Sequence, residues 1–262
     1  MTQQTISRLC WWTVVTFALI SVWDLLGQDL ALARVFGTAS GFPLRDHWLW
    51  SSVLHQGARR VAWTLQFGLL LAVWWPVGVL RVLTKRQRVA MLIASMLSLV
   101  VVSMLKTSSQ TSCPWDLAQF GGNALYISHW NWGAADGGVG RCFPAGHASA
   151  AFCFLPGYFW LRDKAPRAAS IWLALTLVAG GTIGLAQQVR GAHYLSHNLW
   201  TAWLCWVVAG ACYLLFEHTR LRTLFGLLEN EQAVCCINLG TVTQHRPVRL
   251  RPRVSDYVSE LG

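Results

Sequence analysis

Apolar residues are arranged along this chain in long continuous runs rather than in alternating patterns. Six of these runs have the length, or nearly the length, that a helix needs to cross about 30 Å of hydrocarbon. They are residues 9–26, 61–80, 89–105, 147–161, 169–186 and 199–216. Because backbone in lipid must satisfy its own hydrogen bonds, the pattern predicts an all-α fold, a bundle of six transmembrane helices.

Two of the runs carry features that set expectations of their own. The fourth run contains Pro156 and Gly157, so a kinked helix is expected there, with neighbouring helices satisfying the freed backbone groups. The first run is as long as a span requires and is followed by no clear small-residue cleavage site. It is therefore expected to stay in the protein as its first helix.

Composition agrees with a membrane protein. Of the 262 residues, 54% are hydrophobic and 12% are charged, and 16 are Trp, which concentrates at lipid–water boundaries. The membrane domain is expected to cover residues 1–218. Residues 219–262 show little apolar periodicity, so a cytoplasmic tail that is peripheral or disordered is expected there.

The distribution of positive charge predicts the orientation of the bundle. Residues 81–88 carry four positive charges and no negative charge, and residues 162–167 carry three positive charges and one negative. Such segments are typical of cytoplasmic loops, so residues 27–60, 106–146 and 187–198 are expected on the periplasmic side of a bacterial inner membrane. Membrane orientation then explains the net charge of +10, and nucleic acid is not an expected partner.

Three polar segments that this topology brings to one face share a chemistry. Together they contain Lys106, Arg141, Gly146, His147, Arg190, His193 and His197. Arginine and lysine neutralise phosphate oxygens, glycine lets backbone N–H groups approach closely, and imidazoles transfer protons near neutral pH. The pattern indicates a phosphate site at the lipid boundary.

A histidine near the end of a membrane helix is more often a boundary anchor than a catalyst. His55 and His129 are expected to be anchors of this kind. His193 and His197 also have a spacing that suits metal ligands, and with His147 they would form a three-histidine zinc site. Three nearby cations would repel a metal ion, so phosphate is the favoured ligand and no metal is expected.

At these residues the chain resembles the type 2 phosphatidic acid phosphatase (PAP2) superfamily. That family carries Lys-x6-Arg-Pro, Pro-Ser-Gly-His and Ser-Arg-x5-His-x3-Asp, in this order, in a six-helix membrane bundle with the site on the outer face. The matching residues here are Lys106 and Pro114, then Pro144, Gly146 and His147, then His193. The resemblance covers roughly residues 9–216.

The resemblance implies a division of labour between the histidines. His193 would attack phosphorus to give a phosphohistidine, and His147 would protonate the leaving oxygen and then activate water. His197 stands where the family has its aspartate and can accept a hydrogen bond from His193. Asp116 or Asp136 is a possible source of the missing negative charge, and no cofactor is implied.

Three other departures from the family pattern concern substrate contacts. Cys113 replaces an arginine, Ala145 a serine and Gln187 a second arginine. Arg141 and Arg190 lie close enough in sequence to replace the two missing guanidinium groups. The expected substrate-binding residues are therefore Lys106, Arg190, Arg141 and Gly146.

Cys113 and Cys142 lie beside the first and second motifs in a loop assigned to an oxidising compartment. A disulfide between them is one hypothesis, and two free thiols are the alternative.

The function expected from the resemblance is hydrolysis or transfer of a phosphate on a lipid phosphate or diphosphate at the outer leaflet. The expected partners are this lipid substrate and the surrounding membrane lipids, while the oligomeric state is not indicated. The alternative is a protein that keeps the fold and binds or moves a lipid phosphate without chemistry.

Overall fold

The computed structural model describes residues 3–225 apart from Trp132, with side chains from residue 7 to residue 217. The α-helices are α1 (Gln3–Leu25), α2 (Gln28–Phe36), α3 (Ala58–Leu71), α4 (Lys85–Ser108), α5 (Ser149–Phe152), α6 (Pro156–Leu161), α7 (Pro166–Val189) and α8 (Leu195–Phe225). A π-helical segment, Leu49–Gly57, precedes α3, and short 3-10 turns form at Gly78–Val82, Pro114–Asp116 and Ala118–Phe120. The described residues contain no β-strand, which confirms the all-α prediction. Most of the predicted tail, residues 226–262, lies outside the described residues.

Four helices are long and apolar enough to cross a membrane. They are Ser7–Leu25, Lys85–Ser108, Pro166–Val189 and Leu195–Glu217. These correspond to the first, third, fifth and sixth predicted runs. The second and fourth runs form shorter helices, so the prediction of six spans is not confirmed.

The second run ends as a helix much earlier than predicted. Helix α3 stops at Leu71, and turns follow before the chain reaches α4. Pro76 has no N–H to donate and disfavours helical backbone in the residue before it, and Gly78 adopts φ +50°. Apolar content alone does not show these interruptions, because Trp74 and Trp75 keep the run hydrophobic.

The fourth run is broken into α5 and α6, where a kink was expected. Pro156 begins α6, so the chain between the two helices is irregular. The indole Nε1 of Trp172 on α7 donates to the carbonyl of Phe154 at 2.7 Å, which satisfies a backbone group that the break frees. Gly157 permits this approach, because a Cβ there would lie 2.2 Å from the Trp172 indole.

Helix α6 lies at the centre of the bundle rather than at its surface. Phe159, Trp160 and Leu161 are almost completely buried, in one hydrophobic core with residues of α4 and α8 such as Met91 and Cys205. An interior helix covered by its neighbours contacts little lipid, so its length need not match the hydrocarbon thickness.

The two cation-rich segments lie at the same end of the bundle. Lys164 Nζ donates to the Val82 carbonyl at 3.0 Å and to Gln87 Oε1 at 2.7 Å, which joins the loop after α6 to the start of α4. The C-terminal ends of α4 and α7 and the N-terminal end of α8 lie at the other end, which carries the predicted histidine site. We call this the histidine end.

Candidate active site

The long loop between α4 and α5 is closed at its base by a disulfide. Cys113 and Cys142 are joined with a Cα–Cα distance of 5.1 Å, so the hypothesised disulfide is present. Backbone bonds support the same closure: the Arg141 N–H donates to Ser109 at 2.8 Å, and the Cys142 N–H donates to Thr111 at 2.9 Å. The first and second motifs are therefore held side by side.

Two acidic residues of this loop, Asp116 and Asp136, were a possible source of negative charge near His193, and both make other contacts. Asp136 accepts from the Ser112 N–H at 2.6 Å, from Ser112 Oγ at 2.8 Å and from the Gly138 N–H at 2.9 Å. Asp116 accepts from Trp115 Nε1 at 3.0 Å. Their carboxylates hold loop backbone and indole groups instead, because unpaired N–H groups of an irregular loop need acceptors.

His193 lies in the turn between α7 and α8 and is 2% exposed. Its Nδ1 lies 3.5 Å from Cys142 Sγ, a sulfur that has no proton to donate because it belongs to the disulfide. This contact occupies the Nδ1 side of the ring and leaves Nε2 as the nitrogen available to a substrate. Burial lowers the pKa of His193 well below its usual value, so the imidazole is neutral at neutral pH.

His147 lies in the turn that leads into α5. Its ring centroid is 6.2 Å from that of His193, close enough for both to contact one phosphate group. Burial, followed by electrostatic repulsion from His55 and Lys106, lowers the pKa of His147 to about 3. The residue is therefore neutral in the free protein, and its Nδ1 is buried without a hydrogen-bond partner among the described residues.

Lys106 ends α4 beside the second motif. Its Nζ donates to the Arg141 carbonyl at 2.6 Å, and its side chain lies against Gly146, where a Cβ would come within 3.1 Å of Lys106 Cδ. Arg141 adopts φ +59°, a left-handed conformation that is uncommon outside glycine, and its side chain is exposed. The structure thus brings together Lys106, Gly146 and His147, while Arg141 contributes a carbonyl and directs its guanidinium to the surface.

Arg190 caps the C-terminal end of α7 and is buried. Its Nε donates to the Arg45 carbonyl at 2.7 Å, and its Nη1 donates to Gln187 Oε1 at 3.2 Å. Gln187 Oε1 also lies 3.1 Å from His55 Nδ1. Gln187, which stands where the family has an arginine, therefore accepts from both Arg190 and His55 through its amide oxygen.

His197, on the first turn of α8, is fully buried but is not hydrogen-bonded to His193 as expected. The two ring centroids are 6.0 Å apart, and His197 Nδ1 lies 3.0 Å from the Cys142 carbonyl, to which it donates. The backbone bond from the Ala145 N–H to the His197 carbonyl, at 3.3 Å, fixes this side of α8 against the second motif. His197 thus links two motifs.

The start of α8 is capped by a carboxylate from far away in the sequence. Asp29 on α2 accepts from the Ser196 N–H at 3.1 Å, from Ser196 Oγ and from Trp23 Nε1 at 2.8 Å. A carboxylate at a helix N-terminus satisfies orphan N–H groups and interacts favourably with the helix dipole. This cap fixes the helix that carries His197.

A family model for the PAP2 superfamily matches residues 87–220, just over half of the chain. The protein belongs to the PAP2 superfamily. Members of this superfamily are generally phosphatases, so a phosphoester hydrolase of the membrane is the function at family level. No curated protein and no solved structure matches this chain.

This PAP2 superfamily member has two further histidines at the site that sequence reasoning assigned to the membrane boundary. The His55 ring lies 4.0 Å from the His147 ring, centroid to centroid. The His129 ring stacks on Phe143 at 4.1 Å, and its Nε2 lies 3.3 Å from Asp24 Oδ2. Neither lies in a PAP2 motif, and the sequence carries no local signal for these long-range contacts.

The groups of potential metal ligands in the described residues are not the three histidines His147, His193 and His197. Among the described residues, three potential ligand atoms come within 4.8 Å of one another in two places. The first group is Cys113, Cys142 and His193, whose two sulfurs form the disulfide; the second is Asp24, Asp29 and His129. Asp24 Oδ2 already accepts from the indoles of Trp130 and Trp200.

Proposed function

We propose that this protein is a lipid phosphatase or phosphotransferase that acts on a lipid phosphate or diphosphate through a phosphohistidine intermediate. We further propose that it spans a bacterial inner membrane, with the histidine end at the outer leaflet facing the periplasm.

The observation that carries the proposal is a cavity lined in part by polar side chains, which we call the polar cavity, beside an apolar groove. The cavity, of about 220 Å³, is lined by His55, Arg59, Gly146 and His147 among others. The groove, of about 880 Å³, runs between α3 and α7 and is lined almost entirely by apolar side chains. Both are lined by Ala58, Ala62, Ala150 and Ile183, so an amphipathic molecule fits with its phosphate beside His147 and its chain in the groove.

The proposed chemistry has two steps. His147 takes up a proton when the phosphate dianion binds and raises its pKa. His193 Nε2 then attacks phosphorus, a P–N bond forms, the P–O bond to the lipid breaks, and the leaving oxygen takes the proton from His147. Water then attacks phosphorus while His147 accepts its proton, a P–O bond forms and the P–N bond to His193 breaks, which releases phosphate and frees His193. In a transferase, the hydroxyl of an acceptor takes the place of water.

Cationic groups balance the charge of the transferred phosphoryl group. Lys106 donates one hydrogen bond to the Arg141 carbonyl and keeps further N–H donors for a ligand. Arg190 is held in place by its bonds to the Arg45 carbonyl and the Gln187 side chain. Fixed donors that need no reorganisation stabilise a developing charge most effectively.

The role of the groove is tested with Ala179→Trp, because Ala179 lines the groove but not the polar cavity. The expected result is a roughly 10-fold or greater rise in KM for a long-chain lipid phosphate, with turnover of a short aryl phosphate unchanged. Phosphate release from both substrates is measured on purified protein.

Ala174→Trp is the matched control, since Ala174 is exposed on the same helix and lies outside the groove lining. Equal effects of the two substitutions, or equal effects of Ala179→Trp on both substrates, would argue against a lipid chain in the groove. Failure of the unaltered protein to release phosphate from any lipid phosphate would refute the enzymatic proposal.

Binding without chemistry is the second candidate. In the described part of the chain no carboxylate is hydrogen-bonded to His193, whereas the family pattern places an aspartate four residues after it. A carboxylate partner stabilises an imidazolium, so its replacement favours weaker nucleophilic catalysis. Rapid acid quench with a radiolabelled lipid phosphate separates the candidates: a labelled protein indicates chemistry, and tight binding without label indicates the second candidate.

The orientation is tested with single cysteines introduced at Thr84 and Asn131, with Cys113 and Cys142 kept as their disulfide and the other cysteines replaced. An impermeant maleimide added to intact spheroplasts should label residue 131 and spare residue 84. The opposite pattern would reverse the proposed topology.

A further inference from the structure

The π-helical segment and the first turn of α3 bring two further polar side chains to His147. His55 belongs to Leu49–Gly57, and Arg59 follows four residues later on α3. π-Helical turns are rare and are frequent at functional sites. Both side chains line the polar cavity together with His147, so all three face the same space.

His55 is held by contacts on two sides. Its ring lies 4.0 Å from that of His147, with an angle of 35° between the planes. Its Nδ1 lies 3.1 Å from Gln187 Oε1, and an amide oxygen only accepts, so Nδ1 carries the proton of this bond. His55 Nε2 is therefore the nitrogen that remains for a ligand. It carries no proton in the neutral ring and becomes a donor when a bound phosphate dianion raises the pKa of His55.

Gln187 connects His55 to a position of the PAP2 motif. The PAP2 pattern places an arginine at this position, and here the Gln187 amide accepts from both His55 and Arg190. Its side chain is fully buried, so it reaches neither solvent nor lipid. The residue that would bind phosphate elsewhere in the family instead positions two other donors.

Arg59 has the properties of a ligand-binding cation rather than a structural one. It is exposed at the cavity, and its guanidinium forms no hydrogen bond or ion pair with any described residue. Its charge reaches the site: burial lowers the pKa values of His55 and His147, and the positive charge of Arg59 lowers both further. A cationic cavity with neutral imidazoles suits an anion.

We infer that His55 and Arg59 bind the substrate phosphate beside His147, and so replace the donors that the family pattern places at Cys113 and Gln187. This inference rests on the proposed function and names the phosphate-binding groups of that site. Arg59 then joins Lys106 and Arg190 as the third cation, one for each of the three equatorial oxygens of the phosphoryl group.

The inference is tested first at Arg59, with Arg60 as the matched control. Arg60 is exposed in the same helical turn but does not line the cavity. Arg59→Ala should lower kcat/KM for a lipid phosphate about 10- to 100-fold and weaken binding of inorganic phosphate or orthovanadate about 10-fold or more. Arg60→Ala should stay within about 2-fold of the unaltered protein.

His55 is tested with two substitutions that separate its bond to Gln187 from a contact with phosphate. Asparagine places an amide N–H near the position of Nδ1, and glutamine places one near the position of Nε2. If Nε2 contacts phosphate, His55→Gln should retain more activity and phosphate affinity than His55→Asn. If His55 only holds Gln187, the order should be the reverse, and that order would overturn its assignment to phosphate.

Binding and turnover are measured separately, so that the inference and the proposed function can fail independently. Calorimetry with inorganic phosphate and orthovanadate reports binding, and phosphate release reports turnover, on variants with unchanged melting temperature. Turnover with Arg59→Ala equal to Arg60→Ala would overturn the inference and leave the phosphatase standing. Arg59-dependent binding without turnover would support the inference and refute the enzyme, and absence of both binding and turnover would overturn both.

Discussion

Cations with little exposure lie at both ends of the bundle, and the two ends use them differently. At the end that carries the two cation-rich loops, Arg88 directs Nε and Nη2 to the Val73 carbonyl and Nη1 to the Leu83 carbonyl. At the histidine end, Arg190 uses Nε and Nη1, and Lys106 makes a single bond. Every guanidinium nitrogen of Arg88 therefore has a backbone acceptor, whereas Nη2 of Arg190 and two of the three N–H groups of Lys106 have no protein partner among the described residues.

The difference teaches how a structural cation can be told from a binding one. Each nitrogen of Arg88 donates to a carbonyl near the break after α3, so its charge serves the fold. Arg190 and Lys106 are each fixed by carbonyl or amide oxygens but keep N–H groups for a ligand. A burial value alone does not separate the two uses, since Arg88 and Arg190 are each 8% exposed.

The largest effect is expected from the histidines. His193→Ala should abolish turnover of every substrate, because it removes the proposed nucleophile. His147→Ala should lose roughly 10²–10⁴-fold on a lipid phosphate and recover in part on an aryl phosphate, whose leaving group needs no proton. Equal losses on both substrates, measured by phosphate release, would contradict the assignment of His147 as the acid.

The disulfide provides the next test, because only the histidine end is covalently closed within the described residues. The bond spans 29 residues, and in the chain-entropy model a loop of this size is stabilised by about 3–4 kcal/mol. Replacing Cys113 and Cys142 together by serine should lower the melting temperature and the activity in parallel. Unchanged activity after full reduction, verified by alkylation and mass spectrometry, would show that the loop is held without the bond.

The comparison of cations is tested by Lys106→Met and Arg88→Met. Lys106→Met should lower kcat/KM roughly 10- to 100-fold with little change in melting temperature. Arg88→Met should destabilise the fold by about 1–3 kcal/mol, because two carbonyls lose their donors, and should leave kcat of the folded protein unchanged. If Lys106→Met lowered stability and Arg88→Met lowered kcat, the assignment of Arg88 as a structural cation and Lys106 as a binding cation would be wrong.

The smallest expected effect is the uptake of protons when phosphate binds. The pKa of His147 is lowered to about 3 by burial and by neighbouring positive charge, so the free protein carries a neutral imidazole at pH 6. A bound phosphate dianion raises this pKa and that of His55, so binding should take up protons, up to about one for each histidine, and affinity should fall as pH rises. Calorimetry of phosphate binding in buffers of different ionisation enthalpy measures the uptake, and His147→Gln should lower it. Identical heats in all buffers would count against proton uptake.

The features of this structure that could be predicted from sequence are those marked by a local pattern or by motifs in a fixed order. The continuous apolar runs predicted helices, and Pro156 predicted the irregularity between α5 and α6. The order and spacing of Lys106, His147 and His193 indicated one site, and two cysteines beside those motifs led to the disulfide hypothesis. Orientation in the membrane and the roles of the individual site residues stay predictions.

The parts that sequence reasoning missed depend on contacts between distant segments. Asp29 caps α8 through Ser196, 167 residues away, and no pattern in α2 shows it. The contact of His55 with Gln187 spans 132 residues and depends on a π-helical turn, which has no distinct hydrophobic period. The guanidinium predicted from Arg141 was chosen by proximity in sequence, whereas its positive φ turns the carbonyl toward Lys106 and leaves the side chain at the surface.

The bond from Trp172 to the Phe154 carbonyl has a consequence for the order in which the chain is assembled during translation. The acceptor lies in the interrupted segment between α5 and α6, and its donor lies on α7, which leaves the ribosome later. Until α7 and α8 have entered the membrane, Phe154 lacks its donor and α6 lacks much of its cover. We therefore expect His147, at the start of this segment, to reach its position only after the helices that flank His193 have been inserted, so that a nascent chain holds no assembled site.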